Sequence, residues 1–202
     1  MTAEQAFERG ASELGLALSQ ASRSQFMQYM ALLSKWNRTY NLTAIRDPIE
    51  MVTHHLLDSL AVVPHLPMPA EARLADVGSG AGVPGIAIAI ARPQWHVTLN
   101  DAREKKSAFL RQAKIELALA NVDIHEGRVE RWTPQRKFAL VISRAFAELG
   151  EFRSLCGHLL ARDGVLAAMT GTAVQAPGCR TIELHVPLLR AKRHLVLCPA
   201  QL

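Results

Sequence analysis

One stretch of the chain, RLADVGSGAGVPGIAIAIARPQWHVTLNDA, has the residue types and spacing expected of a ligand-binding turn. Four glycines, Gly78, Gly80, Gly82 and Gly85, lie between a short apolar run and a longer one. Glycine allows a sharp backbone turn and lets a ligand approach the peptide groups without a Cβ in the way. A helix that begins after such a turn offers unpaired N–H donors to the ligand. We therefore predict a strand, a binding turn and a helix at the carboxyl edge of an α/β sheet.

The acidic residues near this turn favour S-adenosylmethionine over a dinucleotide as the ligand. The pattern G-x-G-x-x-G starts at Gly80, and Asp101 follows about 20 residues later, as in dinucleotide-binding proteins. Asp76, however, stands two residues before Gly78, where a carboxylate can reach the amino-acid part of S-adenosylmethionine but would repel a pyrophosphate. About 100 residues follow Asp101, which is too few for the second half of a typical dehydrogenase.

These residues also have structural interpretations, which the sequence leaves open. Gly78 and Gly80 can serve a tight turn alone, and Asp76 can be an ordinary acid at a strand end. Asp101 can cap the helix predicted over AREKKSAFLRQ, a role that does not exclude contact with a ribose. We predict that all four residues contribute to the cofactor site.

The elements around the turn indicate an α/β fold that follows a helical segment. Residues 1–65 predict an N-terminal helical extension, and residues 66–202 predict the S-adenosylmethionine-binding domain after a proline-rich connector. Short apolar runs alternate with helical patterns, which is typical of a parallel sheet covered by helices, and no helix joins the last two runs. The seven runs are RLADV, HVTLN, NVDIH, FALVIS, GVLAAMT, IELHV and HLVLC.

Helix boundaries in the extension follow from capping residues. Ser22 or Ser24 is positioned to cap the helix that carries Phe26 and Trp36 on one face. Asp47 and Pro48 form a capping carboxylate and a first-turn proline for a second helix. Pro64 is predicted to end that helix. We also predict a helix over LGEFRSLCGHLLARD, residues 149–163.

Composition places the chain among ordinary globular proteins. Hydrophobic residues make up 49% and charged residues 20% of its 202 residues, and the net charge of +5 is compatible with a polyanionic partner. We expect no membrane span, no export signal and no metal site, and we expect the protein in the cytoplasm as a monomer. Cys156, Cys179 and Cys198 are far apart and form no C-x-x-C pair, so we expect three reduced thiols.

Basic residues close to aromatic ones suggest RNA contacts, although each can equally belong to a solvated surface. His54 and His55 lie among apolar neighbours and are expected to be structural, and we assign no chemistry to Asp58. The candidates are Lys35 and Arg38 near Trp36 and Tyr40, Arg46, Lys105 and Lys106, and Arg190, Lys192 and Arg193.

Several segments together resemble the RsmG family, also called GidB, of bacterial small-subunit ribosomal RNA methyltransferases. They are LLSKWNRTYNLTAIRDPIEMVTHHLLDSL, LADVGSGAGVPGIAIAIARP, FLRQ, GRVE and VISRAFA, in order over about residues 25–171. The resemblance implies a class I methyltransferase fold, Rossmann-like, with a mainly parallel seven-stranded sheet and an antiparallel last strand. It also implies S-adenosylmethionine as donor and transfer of the methyl group to N7 of a guanosine in the decoding-region loop of 16S rRNA.

The same resemblance implies site residues. Gly78 and Val83 on the turn would contact the cofactor, Val129 and Glu130 in GRVE would lie on its adenine side, and Arg144 in SRAFA would be a binding and catalytic residue. A salt bridge of Arg144 to Glu130 is the structural alternative. In one position the chain departs from the family, which has Lys-Gly after the fifth strand where this sequence has Thr170 and Gly171, so the role of that lysine is in doubt here.

The residues allow methylation of guanine N7 and leave rivals open. N7 carries a free lone pair at neutral pH and needs no general base, so positioning can carry the reaction. No N/D-P-P-Y segment and no Pro-Cys pair stands at the fourth strand end, which disfavours exocyclic amine and cytosine C5 methylation. The expected partner is 16S rRNA or the small ribosomal subunit. The alternatives are an RNA-binding ribosome assembly factor without catalysis, an NAD-dependent oxidoreductase and a small-molecule methyltransferase.

Overall fold

The computed structural model describes residues 1–144 and 148–200, and its helices cover a seven-stranded sheet. The helices are α1 (Ala3–Glu13), α2 (Gln20–Tyr40), α3 (Pro48–Met51), α4 (Asp58–Leu60), α5 (Gly85–Ala91), α6 (Glu104–Glu116) and α7 (Leu149–Cys156). The strands are β1 (Arg73–Val77), β2 (His96–Asp101), β3 (Val122–Glu126), β4 (Phe138–Ser143), β5 (Leu160–Thr170), β6 (Arg180–Leu184) and β7 (Arg193–Pro199).

Helix α2 begins earlier than the sequence predicts. Ser19 is the capping residue, and its Oγ accepts the backbone N–H of Ser22 at 3.0 Å. The prediction of Ser22 or Ser24 as the cap is therefore wrong. Ser22 is buried, and its hydroxyl donates to the carbonyl of Ile90 at the end of α5, a tertiary contact that the local sequence does not reveal.

The second predicted helix is present but is not a regular α-helix. The carboxylate of Asp47 accepts the N–H groups of Ile49 and Glu50 at 2.9 Å, which confirms the predicted cap and the first-turn proline. After α3 the backbone forms a π-helical segment, Val52–Leu57, before returning to α4. The α-helix ends at Leu60, so it stops before Pro64, which lies in a following 3-10 turn.

The sheet has the strand order β3-β2-β1-β4-β5-β7-β6. The first five strands are parallel, and β7 runs antiparallel to both β5 and β6. This is the predicted arrangement: a mainly parallel α/β sheet with an antiparallel last strand. Successive strands are added on one side of β1 up to β3 and on its other side from β4 onward. Open α/β sheets bind ligands at such a point, in the crevice at the carboxyl ends of the two adjacent strands, here β1 and β4.

The helix predicted over residues 149–163 is too long. Helix α7 ends at Cys156, and β5 already begins at Leu160, which lies opposite Phe138 in the parallel ladder with β4. Pairing with a buried strand outweighs the helical periodicity of the local sequence, because it satisfies the backbone groups of both strands.

The N-terminal helices share one core with the sheet. Phe7 of α1 and Phe26 of α2 lie 4.9 Å apart between ring centroids, and Tyr29 of α2 faces Phe109 of α6 at 6.5 Å. These side chains belong to one continuous buried cluster with the residues of α5 and β2. The predicted boundary between residues 65 and 66 stays a prediction, and the helices before it pack directly on α5 and α6.

The expectation of three reduced cysteines is wrong for two of them. Cys179 and Cys198 form a disulfide, whereas Cys156 is free and buried as expected. Arg180 lies opposite Leu197 in the antiparallel pair of β6 and β7, so the preceding and following residues also face each other. Their Cα atoms are 4.4 Å apart, within the range that a disulfide spans. Residues 19 positions apart thus become neighbours only through strand pairing.

Within residues 1–144 and 148–200, no helix combines the length and the apolar character that a membrane crossing requires. The same part of the chain contains no group of three or more His, Cys, Asp or Glu side chains arranged to hold a metal ion.

Candidate active site

The glycine-rich turn joins β1 to α5 through three residues with left-handed backbone. Gly78, Gly80 and Gly82 have φ values of 70°, 59° and 88°, which only glycine adopts readily. Gly85 is needed for a different reason, since a Cβ there would lie 2.3 Å from the Leu99 side chain. The turn therefore requires glycine at four positions, for backbone conformation at three and for close packing of α5 on β2 at the fourth.

A cavity of about 610 Å³ opens beside this turn, at the carboxyl ends of β1, β2 and β3; we call it the cofactor cavity. Four predicted cofactor residues line it: Gly78, Asp101, Val129 and Glu130. Parallel strands end at one edge of a sheet, which explains why residues more than 50 positions apart meet there. The remaining lining residues are Val77, Asn100, Ala102, Arg103, Lys106, Gly127, Arg128 and Leu155.

Asp101 connects the turn to the wall of the cofactor cavity. One carboxylate oxygen accepts the N–H of Gly80 and the other accepts the N–H of Arg103, both at 2.9 Å. A carboxylate has about four acceptor positions, so two remain for a ligand. The N-cap of α6 is Arg103, and no side chain caps this helix, so Asp101 is not the capping residue; it accepts the N–H of Arg103 and keeps acceptor capacity at the cavity.

Asp76 lies beneath the turn and not on the cavity wall. Its residue is 1% exposed, and Oδ2 accepts the N–H of Gly85 at 3.0 Å. Oδ1 is buried without a hydrogen-bond partner among the described residues. Burial raises the pKa of Asp76 from its ordinary value of 3.8 to about 7, while the hydrogen bond from Gly85 opposes the rise. The predicted contact of Asp76 with a cofactor stays a prediction.

A second, smaller cavity of about 270 Å³ lies on the other side of the turn; we call it the turn cavity. Gly78 and Lys106 line both this cavity and the cofactor cavity. The Lys106 ammonium lies 3.3 Å from the position that a Cβ on Gly80 would occupy, directly over the turn. Two other predicted cofactor residues, Gly80 and Val83, also line the turn cavity.

A third cavity, of about 410 Å³, adjoins the turn cavity through two shared residues, His55 and Arg144; we call it the arginine cavity. Arg144 follows the last residue of β4, at the carboxyl edge of the sheet, as its place in the sequence predicts. Ala145, Phe146 and Ala147 of the SRAFA motif lie outside the described residues. The arginine cavity is lined by Ile45, His54, His55, Asp58, Arg144, Met169, Thr170, Gly171 and Arg193.

The partner of Arg144 is Asp58, not Glu130. Arg144 Nη1 donates to the carbonyl of His54 at 2.8 Å and lies 3.4 Å from Asp58 Oδ2. The other oxygen of Asp58 accepts Nε of Arg193 at 3.1 Å. Asp58 is 1% exposed, so one buried carboxylate holds the guanidinium groups of two arginines that come from β4 and β7.

Burial controls the titration of the groups between these cavities. It raises the pKa of Asp58, and the charges of Arg144 and Arg193 oppose that rise. Burial also lowers the pKa of His55 to about 4, helped by the positive charge of Arg144, so His55 is neutral at neutral pH. His55 Nε2 is 3.0 Å from the hydroxyl of Thr43. These contacts agree with the structural role predicted for His55.

His54, His55 and Asp58 lie close together because residues three or four positions apart are neighbours on a helix, and a π-helical segment precedes Asp58. It contains His54 and His55 and ends immediately before Asp58. A π-turn changes the angular spacing of side chains relative to an α-helix, and such turns are common at functional sites. The position of Asp58 beside two arginines was not predicted from the sequence. The available signal is an acidic residue in the middle of an apolar helix stripe, because a buried carboxylate needs a cationic partner.

The predicted RNA-contact residues separate into groups. Lys105 is exposed beside Lys106. Arg193 lines the arginine cavity, whereas Lys192 pairs with Glu183 on the surface. Arg190 is exposed close by. On α2 and the following loop, Lys35 is exposed, Arg38 and Arg46 line a shallow cavity of about 320 Å³, and the rings of Trp36 and Tyr40 are 5.0 Å apart.

Thr170, the position that departs from the family pattern, lies in the arginine cavity. Its hydroxyl donates to the carbonyl of Thr172 at 2.8 Å, so it is engaged in the local turn. The cationic groups of this cavity are those of Arg144 and Arg193, and Thr170 contributes none.

Comparison with known proteins agrees with this geometry. The profile of the GidB family, described as rRNA small subunit methyltransferase G, matches residues 22–178. A Ribosomal RNA small subunit methyltransferase G of Burkholderia ambifaria is 50% identical over 96% of this chain and 90% of its own length. One of the same name from Methylobacillus flagellatus is 48% identical over 98% of both chains.

Solved structures show the same fold at low sequence identity. A SAM-dependent methyltransferase from Aquifex aeolicus has a TM-score of 0.57 and 15% identity, covering 82% of this chain and 97% of its own. A predicted O-methyltransferase from Agrobacterium tumefaciens has a TM-score of 0.54 and 22% identity, covering 71% and 78%. With the profile and the close relatives, these findings show that the chain belongs to the GidB family, rRNA small subunit methyltransferase G.

Proposed function

We propose that this protein transfers a methyl group from S-adenosylmethionine to N7 of a guanosine in the decoding-region loop of 16S rRNA. The supporting observation is the position of Arg144, which lines both the turn cavity and the arginine cavity. A cofactor on one side of Arg144 and an RNA nucleotide on the other would meet at this residue. Family membership supports the rRNA substrate.

The residues of the cofactor cavity fit S-adenosylmethionine, which supplies a methyl group activated on a positively charged sulfur. Asp101 keeps two acceptor positions for the hydroxyls of a ribose, and Val129 and Glu130 would line the adenine side. The bare backbone at Gly78 and Gly80 leaves room at the turn. We assign Lys106, predicted from the sequence as an RNA contact, to the carboxylate of the cofactor, because its ammonium lies over the turn.

The arginine cavity suits an acceptor that needs no general base. His55 is neutral at neutral pH but is buried and bonded to Thr43, and Asp58 is committed to two guanidinium groups. Nδ1 of His55 is buried without a hydrogen-bond partner among the described residues, but the lowered pKa makes His55 a weak base, and both oxygens of Asp58 are bonded to guanidinium groups. Guanine N7 has an available lone pair, so the protein needs only to align it with the methyl group. Positioning of this kind contributes roughly 7 to 11 kcal/mol in favourable intramolecular models.

The two arginines would hold the RNA. Guanidinium groups bind phosphate oxygens and base edges through several N–H donors in a fixed plane. We propose Arg144 as the residue closest to the reacting base. The proposed contacts to the RNA backbone are Lys35, Arg38, Arg46 and Lys105. The proposed partner is the small subunit or its RNA. We propose that the protein acts as a monomer in the cytoplasm.

The test is transfer of labelled methyl to small-subunit RNA that lacks the modification, followed by mass mapping of the product. We expect one methyl group at N7 of one guanosine in the decoding-region loop. Label on another base or on a small molecule contradicts the proposed site of methylation. RNA binding with no S-adenosylmethionine binding and no transfer favours the assembly factor, and tighter binding of NAD favours the oxidoreductase.

A further inference from the structure

A fourth cavity, of about 500 Å³, lies at the opposite edge of the sheet from the cofactor; we call it the amino-edge cavity. Arg73 and His96 are the first residues of β1 and β2, and Arg136 and Lys137 come immediately before β4. Because these strands are parallel, their amino ends meet at one edge and bring the four basic residues together. Glu71 is the acidic residue in the wall of this cavity.

The guanidinium groups of the amino-edge cavity have no ion-pair partner in the described part of the chain, although Glu71 lies in the wall of the cavity. Among residues 1–144 and 148–200, no carboxylate lies within 4.0 Å of the guanidinium of Arg73 or Arg136. Lys137 donates to the carbonyl of His158 at 2.5 Å and keeps further N–H donors. His96 differs from them, since its Nε2 is bonded to Asp123 at 2.8 Å.

Arg73 is held in place but lacks an acceptor. Its guanidinium carbon lies 5.5 Å from the centroid of the Phe138 ring, a cation–π contact that orients the group without using its N–H donors. Nε of Arg73 is buried and has no hydrogen-bond partner among the described residues. The buried Nε is out of reach of a ligand in the cavity, so the terminal N–H groups of this half-buried arginine are the donors available to an anionic oxygen.

We propose that the amino-edge cavity binds the phosphate backbone of the substrate RNA, at a second contact distant from the methylated base. Planar guanidinium groups and an ammonium suit phosphate oxygens, and the contact needs no particular base. A five-residue strand such as β1 spans about 17 Å, so one folded RNA can reach both edges of the sheet. The inference rests on the proposed function, because it takes rRNA as the substrate.

The test compares two triple variants with the same change in charge. R73Q/R136Q/K137Q removes the cations of the cavity, and R9Q/R111Q/R180Q removes three exposed cations elsewhere. Binding of 16S rRNA is measured as a function of salt concentration. Loss of three backbone contacts is expected to reduce the slope of log affinity against log salt by about 2 in the cavity variant, whereas the control keeps a slope near that of the wild type.

Separate readouts distinguish this inference from the proposed function and from misfolding. S-adenosylmethionine affinity and kcat at saturating RNA stay at wild-type values, and KM for RNA rises. R136Q/K137Q changes only exposed residues and gives a slope reduced by about 1 if R73Q/R136Q/K137Q does not fold. Equal slopes for the cavity and control variants overturn the inference. Absence of methyl transfer by the wild type overturns the proposed function alone, since the slopes measure RNA binding without catalysis.

Discussion

Two buried aspartates, Asp76 beneath the turn and Asp58 in the arginine cavity, are held in different ways. Asp76 and Asp58 are each 1% exposed, and burial raises the pKa of both. Asp76 is bonded to a backbone N–H within its own motif, whereas Asp58 is bonded to two arginines that are 86 and 135 positions away in sequence. Asp76 is thus held by a backbone group of the turn above it, and Asp58 by side chains from distant segments.

Replacing these two aspartates is therefore expected to have different effects. Replacing Asp76 breaks a hydrogen bond to one backbone N–H and leaves no charged side chain without its partner. A cavity whose cations are held by one buried carboxylate loses both positions together when that carboxylate is removed, because the remaining charges are left without a partner. Substitutions at Asp58, Asp76, Asp101, Gly85 and Tyr29 test this difference.

The largest effect is expected for Asp58→Asn. Arg144 and Arg193 lose their shared anion, so we expect transfer to rRNA to fall by about 100-fold or more and stability by roughly 2 to 3 kcal/mol. Affinity for S-adenosylmethionine should change by less than about twofold, since Asp58 is not in the cofactor cavity. Kinetics, calorimetry and denaturant unfolding measure the three quantities, and Asp163→Asn, an exposed aspartate, is the control. Equal losses of cofactor affinity and transfer would contradict the separation of the two halves.

Asp76→Asn should change the pH dependence of stability by a few kcal/mol. The pKa of Asp76 is about 7 in the folded chain, above its ordinary value of 3.8, so the folded state holds this proton more tightly than the unfolded state. That contribution is fully present below about pH 4 and is lost as the pH rises to about 7, at up to about 1.4 kcal/mol for each unit of pKa difference.

The variant lacks this titration, while its amide oxygen can still accept the N–H of Gly85. We expect the stability of the variant relative to wild type to increase between pH 4 and pH 7, measured by denaturant unfolding at several pH values. Parallel pH profiles for the two proteins would show that Asp76 does not titrate in this range.

Asp101→Ala is expected to weaken S-adenosylmethionine binding by roughly tenfold to a hundredfold, the effect of losing hydrogen bonds to a charged group. The change removes the acceptor for the N–H of Gly80 as well as the acceptors for the ligand. Asp123→Ala, on the neighbouring strand and outside the cofactor cavity, is the control for calorimetry. Unchanged affinity would remove Asp101 from the site.

Gly85→Ala should lower stability by about 1 to 3 kcal/mol through overpacking. Its Cβ would lie 2.3 Å from the Leu99 side chain and 2.7 Å from Oδ2 of Asp76, so α5 must shift away from β2. Gly150→Ala is the matched control, because nothing lies within 4 Å of a Cβ there. Thermal unfolding that shows equal stability for both variants would mean that α5 moves without cost.

The smallest effect is expected for Tyr29→Phe. The hydroxyl of Tyr29 on α2 donates to the carbonyl of Ala81 in the turn at 2.6 Å, and this is a direct link between the N-terminal helices and the cofactor half. Removing it should cost about 1 kcal/mol of stability and weaken cofactor binding a few-fold. Calorimetry that finds unchanged cofactor affinity, with the stability loss present, would show that the helices support the fold but not the turn.

Local patterns predicted the elements around the turn well. The order of β1, turn and α5, the sheet class and the Asp47 cap were all predicted from residues close in sequence, and Asp101 lies in the cavity where the pattern places it. The errors concern long-range contacts. Ser22 donates to Ile90 instead of capping α2, and Leu160 pairs with β4 instead of continuing α7.

The sequence by itself determined the turn, because left-handed backbone and close helix packing require glycine whatever surrounds them. It also determined that the residues following the parallel strands lie together, because parallel strands all end at the same edge of the sheet. Only the tertiary structure decided which distant side chains meet. It pairs Asp58 with Arg144 and Arg193 and joins Cys179 to Cys198. It also brings the basic residues of the amino-edge cavity to one place. Such partners depend on which segments the sheet brings together, and that arrangement is a property of the whole packed core.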